Sequence, residues 1–513
     1  MDTKSNKYYL TTAIPYVNAP PHIGHALEFV QADTIAKYHA LKGQEVFLTT
    51  GVDENSIKCV QAAAKQNITT KALCDANSNS FREFVKSIGM HYDAFVRSSQ
   101  DEAHWNGVEK LWNMCMDSDD IYKKTYSGLY CTGCEAFYTQ KDLVNGLCPE
   151  HLTKPDVVKE ENYFFRLSKY SGRIREMIDS GSLVILPKER KNEIIGQIDE
   201  GLEDFSISRS NERAKGWGIA VPKDESQKIY VWFDALSIYL TSIGFGSNEQ
   251  KFKSLWPADM HIIGKGIIRF HAIYWPAMLM SAGLEMPKHI IVHGYVTSKG
   301  QKISKSLGNV VDPMAMIDKY EVNAVRYYLL RGIPTFEDGD FSENDLIAAN
   351  NTELVANIGN FIHRTMTFAY KNYKGELKSK NAIDKNDMEI ISRINLLIDE
   401  FDADMSNFKI GRGLNRVLEV SSIGNKYFQD NKPWELINAD RDGCEKVLFV
   451  CIGICKALSV LLYPYLPDAA EQLAKSLNTN IELLQGAKIL PQGEVHINEP
   501  KQLFKKIEDA KAI

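Results

Sequence analysis

The sequence lacks several features that mark specialised classes of protein. No apolar run in its 513 residues is long enough to cross a bilayer, so no membrane-spanning helix is expected. The opening residues MDTKSNKYYL contain neither an apolar signal-peptide core nor an arginine-rich transit pattern, which favours a cytoplasmic protein. The nine cysteines are odd in number and argue against a disulfide framework. A net charge of −6 excludes a generally basic nucleic-acid coat, but it does not exclude a local basic groove.

The composition is that of an ordinary globular protein, with 44% hydrophobic and 25% charged residues over a length that predicts two to four domains. Near the N-terminus, KYYLTTAI predicts a buried strand and EVFLTTGV predicts a second one. Between them, apolar residues from His25 to Leu41 recur at helical spacing, and Gly43 fits a helix C-cap. This order is typical of the βαβ start of a doubly wound, Rossmann-like parallel sheet.

Two histidines, His22 and His25, flank Gly24 where the first strand gives way to the helix. A helix N-terminus carries partial positive charge and N–H groups that can bind an anion. Gly24 would let a flat ligand approach the backbone. Taken alone, the two histidines are equally typical of a solvated loop.

A distant basic segment, GYVTSKGQKISKSLGNVVDP, runs from Gly294 to Pro313. Its lysines, Lys299, Lys302 and Lys305, lie among serines and glycines, and such a loop could close over phosphates. Alone, it is typical of a solvated basic loop. The pairing of this segment with His22-Ile-Gly-His25 resembles the two nucleotide-binding motifs of class I aminoacyl-tRNA synthetases.

Further segments resemble the methionyl branch of that family, in the right order from about Tyr8 to the C-terminus. They include YVWFDALSIYLT, HIIGKGIIRFHAIYWPAMLMSAG, VRYYLLRGIPTFEDGDFS and NKPWELI. The resemblance implies a two-step ligase, in which ATP activates methionine to methionyl-adenylate and a methionine tRNA accepts it at the 3′ end. It also implies Mg²⁺ bound with ATP. The implied catalytic residues are His22, His25, Lys302 and Lys305, and the implied ATP-binding positions are His22, Gly24, His25, Gly264, Gly294, Lys302, Ser304 and Lys305.

The resemblance also implies a methionine pocket at Ile14, Tyr16, Asp53, Trp232, Ala235, Tyr239, Ile267 and His271. An apolar, aromatic enclosure suits a polarizable thioether, and Asp53 would hold the α-ammonium group. Tyr239 and His271 could offer a polar contact to the sulfur. Trp232 and Tyr239 are seven residues apart, so core packing on one helical face explains that pair as well.

Two positions depart from the family pattern. Asn55 stands where the family often has histidine, and Gly266 stands where it usually has aspartate. The second departure puts in doubt any ribose or ammonium contact made by an acid at that position.

Two close pairs, Cys131-x-x-Cys134 and Cys148-x-x-His151, lie within 21 residues. Three thiolates and one imidazole suit a single tetrahedral zinc, and four protein ligands leave no open position for catalysis. We therefore expect one structural zinc per chain, with chance placement of unrelated cysteines as the alternative. The other six cysteines are expected to be small buried hydrophobes.

Beyond about Asn344, apolar residues recur three and four apart, which predicts an α-helical bundle. The resemblance implies that this bundle binds the anticodon, with Trp434 stacking on a base and Asn357 hydrogen-bonding to bases. The alternatives are a core anchor for Trp434 and a solvated or capping residue for Asn357. The LFKKIE segment near the C-terminus is expected to complete the bundle.

The expected organisation has five parts. Residues 1–117 and 226–297 form the two halves of the catalytic domain, 118–225 the connective insertion with its zinc knuckle, 298–345 the nucleotide loop and stem-contact region, and 346–513 the anticodon-binding domain. No appended dimerising domain is recognised, so a monomer is expected.

Two other functions fit part of the pattern. A small-molecule nucleotidyltransferase would share the histidine motif but would not need the bundle. A non-enzymatic RNA-binding relative would not need intact His22, His25, Lys302 and Lys305. Methionine-dependent ATP–pyrophosphate exchange separates the three functions.

Overall fold

The computed structural model describes residues 6–131, 136–138, 140–150, 152–298, 300–303, 310–378, 383–490 and 493–508. In chain order the strands are β1 (Lys7–Thr12), β2 (Glu45–Val52), β3 (Ala94–Arg97), β4 (Ile121–Cys131), β5 (Ala136–Tyr138), β6 (Asp156–Phe165), β7 (Val184–Leu186), β8 (Phe205–Ser206), β9 (Ser208–Ser210), β10 (Ala220–Val221), β11 (Asp224–Ile229), β12 (Met260–Gly264), β13 (His289–His293), β14 (Val296–Ser298), β15 (Gln301–Lys302), β16 (Gly339–Asp340), β17 (Glu376–Lys378) and β18 (Glu494–His496).

The α-helices are α1 (Ile23–Leu41), α2 (Ile57–Lys65), α3 (Thr70–Ser87), α4 (Glu102–Asp117), α5 (Ser171–Ser180), α6 (Lys188–Asp199), α7 (Val231–Thr241), α8 (Glu249–Leu255), α9 (Trp275–Ser281), α10 (Pro313–Tyr320), α11 (Val322–Arg331), α12 (Glu343–Ala349), α13 (Asn360–Tyr373), α14 (Lys385–Ser406), α15 (Ile410–Asn431), α16 (Pro433–Ala439), α17 (Arg441–Leu462) and α18 (Pro467–Ser476). Two π-helical segments, Phe270–Tyr274 and Asn350–Gly359, continue directly into α9 and α13. Over the described ranges, no helix combines the length and the apolar character needed to cross a membrane.

The chain divides into two compact units that interleave along the sequence. The first unit comprises Met1–Pro21, Val46–Phe84 and His91–His293, and the second comprises His22–Glu45, Val85–Met90 and Gly294–Ile513. Helix α1 therefore belongs to the second unit, although the strands before and after it belong mainly to the first.

The first unit is built on a six-stranded sheet in the order β3-β2-β1-β12-β13-β7. The β2–β3, β1–β12, β12–β13 and β13–β7 pairs are parallel, with Leu10 opposite Met260 and Met260 opposite His289. Buried β-rich sequences such as that of β1 suit a sheet covered on both faces. The predicted α/β class with a central parallel sheet is confirmed.

Residues 121–229 of the same unit carry smaller antiparallel sheets. One has the order β5-β4-β6-β8, and its longest pair runs from Ile121 opposite Phe165 to Tyr130 opposite Asp156. The other has the order β10-β11-β9.

The second unit is mainly helical, as expected for the C-terminal region. Its longest helices, α14, α15 and α17, have 22 residues each. Cys451 and Cys455 lie fully buried in α17, which confirms them as core residues. The other four cysteines expected in the core, Cys59, Cys74, Cys115 and Cys444, are buried as well.

The described residues from 499 to 508 include the LFKKIE segment and form no helix, and the expected part of this segment in the bundle stays a prediction. The Asn350 side-chain amide donates to the Lys505 carbonyl at 3.0 Å. Asn351 forms a reciprocal pair with the Ile507 backbone, at 2.8 and 2.9 Å. These side chains hold the segment as irregular backbone.

A buried ion cluster connects three separate chain segments within the second unit. Arg326 of α11 donates to Asp33 of α1 at 2.6 Å, to the Ile88 carbonyl at 2.8 Å and to the Tyr465 carbonyl at 2.8 Å. Lys37 also pairs with Asp33. Burial raises the pKa of Asp33, but the charges of Arg326 and Lys37 outweigh that effect and hold the pKa below its usual value.

Candidate functional site

The eight positions predicted for the methionine pocket all lie in the first unit. Helix α7 carries Trp232, Ala235 and Tyr239, and the chain between β12 and α9 carries Ile267 and His271. Ile14 and Tyr16 follow β1, and Asp53 follows β2. The structure brings Tyr16, Trp232, Tyr239 and His271 into one cluster of rings, which we call the aromatic pocket. Within it, the Trp232 ring lies edge-on to Tyr16 at 6.3 Å and to His271 at 6.1 Å.

A hydrogen-bond chain fixes the polar end of the aromatic pocket. His271 Nδ1 lies 2.9 Å from the Ile267 carbonyl, which can only accept, so Nδ1 carries the proton. In the neutral ring Nε2 is then an acceptor, and the Tyr239 hydroxyl donates to it at 2.7 Å. Burial lowers the pKa of His271 to about 4, so the ring is neutral at physiological pH. The Tyr239 proton is therefore engaged within the protein, and the hydroxyl oxygen is the group left to contact a ligand.

A parallel indole stack forms one side of the aromatic pocket. The Trp232 ring lies against Phe270 with centroids 3.9 Å apart and planes 5° apart. Phe270 is a site residue that the sequence analysis missed. Its place immediately before His271, within RFHAIYW, was the available signal.

Asp53 is buried beside the aromatic pocket and held by backbone contacts. Its N–H donates to the Pro15 carbonyl at 2.9 Å, which places it next to Ile14 and in a bridge with Tyr16. The Asn55 N–H donates to Asp53 Oδ1 at 3.1 Å. The carboxylate is thus fixed where the two strand ends meet.

Asn55, the departure from the family pattern, links this turn to helix α7. Its side-chain amide donates to Asp234 Oδ2 at 2.7 Å, and His104 Nε2 lies 2.6 Å from Asp234 Oδ1. His104 and Asp234 are each 1% exposed. Sequence reasoning missed both residues, because they lie 49 and 179 positions after Asn55 and belong to no short motif. Gly266, the other departure, lies in the 3₁₀ turn Lys265–Ile267.

His22 and His25 form a reciprocal cap at the start of α1. The Gly24 N–H donates to His22 Nδ1, and the His22 N–H donates to His25 Nδ1, each at 3.1 Å. The rings stack at 3.8 Å. Because both Nδ1 atoms accept, the neutral rings carry their protons on Nε2, the tautomer that donates to an anion.

The three glycines predicted at the nucleotide site differ in whether the surrounding atoms leave room for a side chain. A Cβ on Gly24 would lie 3.0 Å from the His22 ring, so the glycine makes room for the capping imidazole. A Cβ on Gly294 would lie 2.1 Å from the Glu337 carbonyl oxygen, which is prohibitive. Gly264 ends β12 with ordinary contacts at 3.5 Å to His293.

Only the base of the basic loop is described. Lys302 lies in β15, which pairs with β14, and the side chain of Lys302 is outside the described atoms. Asp340 accepts hydrogen bonds from Thr297 Oγ1 and, at 2.9 Å, from the Gly300 N–H. These bonds lower the pKa of Asp340, that from Thr297 most. Lys299, Ser304 and Lys305 lie outside the described residues.

Two of the four predicted zinc ligands are described. Cys131 ends β4 and lies opposite Ala136, the first residue of β5. Cys148 is fully buried, and its carbonyl accepts from the Leu152 N–H at 2.8 Å, which closes a turn. Cys134 and His151 lie outside the described residues. Among the residues that are described, no group of three or more metal-ligating side chains occurs. The zinc knuckle, which needs all four ligands, stays a prediction.

The two predicted anticodon residues differ in their surroundings. Trp434, at the start of α16, is 37% exposed and tilted against Phe428 at 6.1 Å. Asn357 lies in the π-helical segment, and its amide donates to Ser422 Oγ at 3.0 Å and accepts from Asn425 at 3.1 Å. Both partners belong to α15, so Asn357 is used to hold two helices of the bundle together.

Comparisons with known proteins agree with this geometry. Residues 8–156 and 142–366 match the family model "tRNA synthetases class I (M)", and residues 378–512 match the "anticodon binding domain of methionyl tRNA ligase". The chain therefore has the fold of a class I aminoacyl-tRNA synthetase.

Similar proteins show which branch of the class I synthetases the chain belongs to. The methionine–tRNA ligase of Brucella suis biovar 1 is 35% identical over 98% of each chain, and that of Rickettsia conorii is 37% identical over 93% of this chain and 94% of its own. A solved structure of Mycobacterium tuberculosis methionyl-tRNA synthetase in complex with methionyl-adenylate superposes with a TM-score of 0.92. It has 34% sequence identity and covers 97% of this chain and 99% of its own. The chain belongs to the methionyl-tRNA synthetase family.

Proposed function

We propose that the aromatic pocket binds the methionine side chain and that Asp53 binds its α-ammonium group. The observation that carries this proposal is the enclosure of Tyr16, Trp232, Tyr239 and His271 with a buried carboxylate beside it. The rings give polarizable contacts for a thioether, and a buried carboxylate pairs strongly with an ammonium group. Ile14, Ala235 and Ile267 complete the set of pocket residues, and Asn55 positions Asp53 and α7.

As a methionine–tRNA ligase, the protein catalyses two transfers. The methionine carboxylate attacks the α-phosphorus of ATP and pyrophosphate leaves. The 3′-terminal hydroxyl of the tRNA then attacks the activated carbonyl and AMP leaves. Such chemistry depends on positioning and on stabilising charge at the phosphoryl group.

The ATP site is assigned to the start of α1 and to the basic loop. His22 and His25 would donate from Nε2 to phosphate oxygens at the positive end of the helix. Lys302, Ser304 and Lys305 would supply charge and hydrogen bonds as pyrophosphate leaves. Gly24, Gly264 and Gly294 are the remaining ATP-contacting positions, and Mg²⁺ would enter with ATP without an assigned side chain.

The helical bundle is proposed to bind the tRNA anticodon. An exposed indole such as Trp434 can stack on an unpaired base, a contact worth about 1–3 kcal/mol. Asn357 would have to exchange its bonds to α15 before it contacted a base, so Trp434 is the stronger candidate.

One zinc per chain is proposed to be held by Cys131, Cys134, Cys148 and His151. Three thiols and an imidazole are a zinc donor set, and a closed four-ligand site is structural. The metal would take no part in either transfer.

The expected domain boundaries, at residues 117, 225, 297 and 345, are kept as a proposal. We also propose that the chain is monomeric. We propose that it is cytoplasmic, in keeping with the odd cysteine count. Light scattering at several protein concentrations tests the monomer.

The test of the proposed function separates its two steps. Methionine-dependent ATP–pyrophosphate exchange reports the first step, and charging of a CAU-anticodon tRNA reports both. Trp434→Ala should lower charging about tenfold or more and leave exchange nearly unchanged, because the proposed stacking on an anticodon base plays no part in the first step. Met388→Ala, at a similarly exposed position in α14, is the control and should change neither reaction. An equal loss of exchange and charging in Trp434→Ala would show that the indole is a packing residue.

A further inference from the structure

A set of buried polar side chains in the first unit has no role in the assignments above. The set consists of His104 of α4 with Asp234 and Thr241 of α7, and we call it the His104 cluster. All three side chains are buried. Burial of a polar group costs free energy unless the group is hydrogen-bonded, so such a cluster fixes the elements that carry it.

The imidazole of His104 contacts both ends of α7. Its Nε2 donates to Asp234 Oδ1 at 2.6 Å, because a carboxylate can only accept. Its Nδ1 lies 2.9 Å from Oγ1 of Thr241, the last residue of the helix and about two turns further on. A Cβ on Gly107 of α4 would lie 2.3 Å from Thr241 Cγ2, so the two helices are in close contact here. One side chain thus fixes the position of α7 against α4.

The second carboxylate oxygen of Asp234 connects α7 to the turn that carries Asp53. Its Oδ2 accepts from the Asn55 side-chain amide at 2.7 Å, and the Asn55 N–H donates to Asp53 Oδ1 at 3.1 Å. Each oxygen of Asp234 therefore has a donor from a different chain segment. Loss of either donor would leave a buried, charged oxygen without that hydrogen bond, which is costly. Asp234 thus holds α7 at one separation from the Asp53 turn.

An amino acid that is bound at both ends needs this separation to be constant. In the proposed pocket, α7 contributes three side chains that would enclose the methionine side chain, and Asp53 would bind the α-ammonium group. Asp234 lies between Trp232 and Ala235 in the sequence, so a shift of its carboxylate moves the part of α7 that forms the pocket. A displacement of about 1 Å in a site of this kind can cost a factor of about 100.

We propose that His104 is a positioning residue for amino-acid binding, an inference that rests on the methionine pocket proposed above. Its bond to Asp234 holds α7 at the separation from the Asp53 turn that a bound methionine requires. His104 acts through Asp234 and has no part in the proposed ATP site. Loss of the bond therefore weakens methionine binding and leaves ATP binding and the turnover rate nearly unchanged.

Two substitutions of His104 separate the two contacts of its ring. The side-chain amide of glutamine can take the place of Nε2 and donate to Asp234, whereas the shorter amide of asparagine takes the place of Nδ1 and reaches only Thr241. In ATP–pyrophosphate exchange, His104→Asn should raise the KM for methionine about tenfold and leave kcat and the KM for ATP within about twofold of the parent. Calorimetric titration with methionine alone should show the same tenfold loss of affinity. His104→Gln should stay within about threefold of the parent in every measurement.

A matched control removes a hydrogen bond from another buried carboxylate of the first unit. The Ser281 hydroxyl donates to the fully buried Asp120 at 2.8 Å, and neither residue belongs to an assigned site. Ser281→Ala should lower the melting temperature, as His104→Asn should. Its affinity for methionine and its KM values should stay within about twofold of the parent, because the pocket is not touched.

A second route breaks the other bond of Asp234 and keeps the test decisive if the His104 variants fold poorly. Asn55→Ala removes the donor to Oδ2 and should also raise the KM for methionine more than the KM for ATP. When Asn55→Ala is combined with His104→Asn, the total loss should be smaller than the product of the two single losses, because both act through Asp234.

Three outcomes would overturn the proposal. They are parallel rises of the KM for methionine and the KM for ATP in His104→Asn, equal losses in His104→Asn and His104→Gln, and a loss of methionine affinity in Ser281→Ala that matches its loss of stability. Failure of the pocket assignment gives a different result, because Asp53→Asn would then leave the KM for methionine near the parent value. A large rise in Asp53→Asn without one in His104→Asn would contradict the positioning role alone.

Discussion

The tautomers of individual histidines decide what each ring can offer a ligand. His22 and His25 accept backbone N–H groups on Nδ1, so their protons lie on Nε2. His271 has the opposite arrangement, with its proton on Nδ1 and Nε2 accepting from Tyr239. His261 is likewise fixed, since its Nε2 accepts from the Trp275 indole at 3.3 Å. The rings proposed for phosphate binding are thus donors, and the pocket ring is an acceptor.

His271 should make the protein less stable in mild acid. Its pKa is about 4 in the folded protein, where burial disfavours the charged ring, against 6.5 in the unfolded chain. Between pH 6.5 and 4 the unfolded chain binds a proton that the folded protein does not, so stability falls as pH falls, by up to about 3 kcal/mol. Above pH 6.5 the residue has no further effect.

The measurement is the change in melting temperature between pH 7.5 and pH 5.5. His271→Gln removes the titrating ring and should show a smaller drop than the parent. His363→Gln removes an exposed histidine of α13 instead and is the control, with a drop like that of the parent. Equal drops in melting temperature in His271→Gln and the parent would show that His271 does not cause the loss of stability in acid.

At the scale of single elements, turns rather than helices or strands place the chemical groups. The β4–β5 hairpin sets Cys131 at its base, the turn after β2 carries Asp53, and the α1 cap orients His22 and His25. Pro20 and Pro21 precede the cap and cannot continue β1. Backbone hydrogen bonds hold the turn at Asp53, and bonds from backbone N–H groups to the two imidazoles hold the α1 cap.

The hairpin should depend on zinc for its stability. Cys148→Ala should lose about one equivalent of zinc per chain and lower the melting temperature, because metal binding is coupled to local folding. Cys455→Ala, which removes an equally buried thiol from α17, should keep the zinc. Metal analysis by mass spectrometry and thermal unfolding are the measurements, and a parent chain purified without zinc that melts at the same temperature as the zinc-loaded chain would contradict the prediction.

At the scale of the whole molecule, the chain order and the compact units do not coincide. The chain passes between the units after Pro21, Glu45, Phe84, Met90 and His293. Within the second unit, Arg326 binds Asp33, Ile88 and Tyr465, which come from all three of its chain segments. One side chain therefore holds together parts of the sequence that are far apart.

Loss of the Arg326 side chain should lower the free energy of unfolding strongly. Arg326→Met leaves Asp33 buried with reduced compensation and two carbonyls without their donors, at a cost of about 3–5 kcal/mol. Arg331→Met on the same helix breaks a more exposed pair with Glu353 and should cost less than about 1 kcal/mol. Thermal unfolding of the two variants checks the prediction, and equal losses would refute it.

Sequence reasoning predicted those elements and residues that a local pattern or a family motif encodes. The 3.6-residue period predicted α1, the β-rich runs predicted β1 and β2, and the i,i+4 cysteines of α17 proved to be core residues. Contacts over long separations were missed. Asn55, His104 and Asp234 meet through tertiary folding alone, and the Lys505 carbonyl accepts a hydrogen bond from Asn350, which lies 155 residues earlier in the sequence.

The cluster around Arg326 bears on how such a chain can be inherited. A recombination event that joined Gly294–Ile513 to an unrelated N-terminal partner would bring the guanidinium without Asp33 and without the Ile88 carbonyl. The hybrid would keep the Tyr465 carbonyl as an acceptor but would bury the guanidinium without its carboxylate, and selection would remove it. Residues 294–513 are therefore not expected to be inherited independently of the residues around Asp33 and Ile88. Recombination between lineages should succeed only between relatives that keep all three contacts of Arg326.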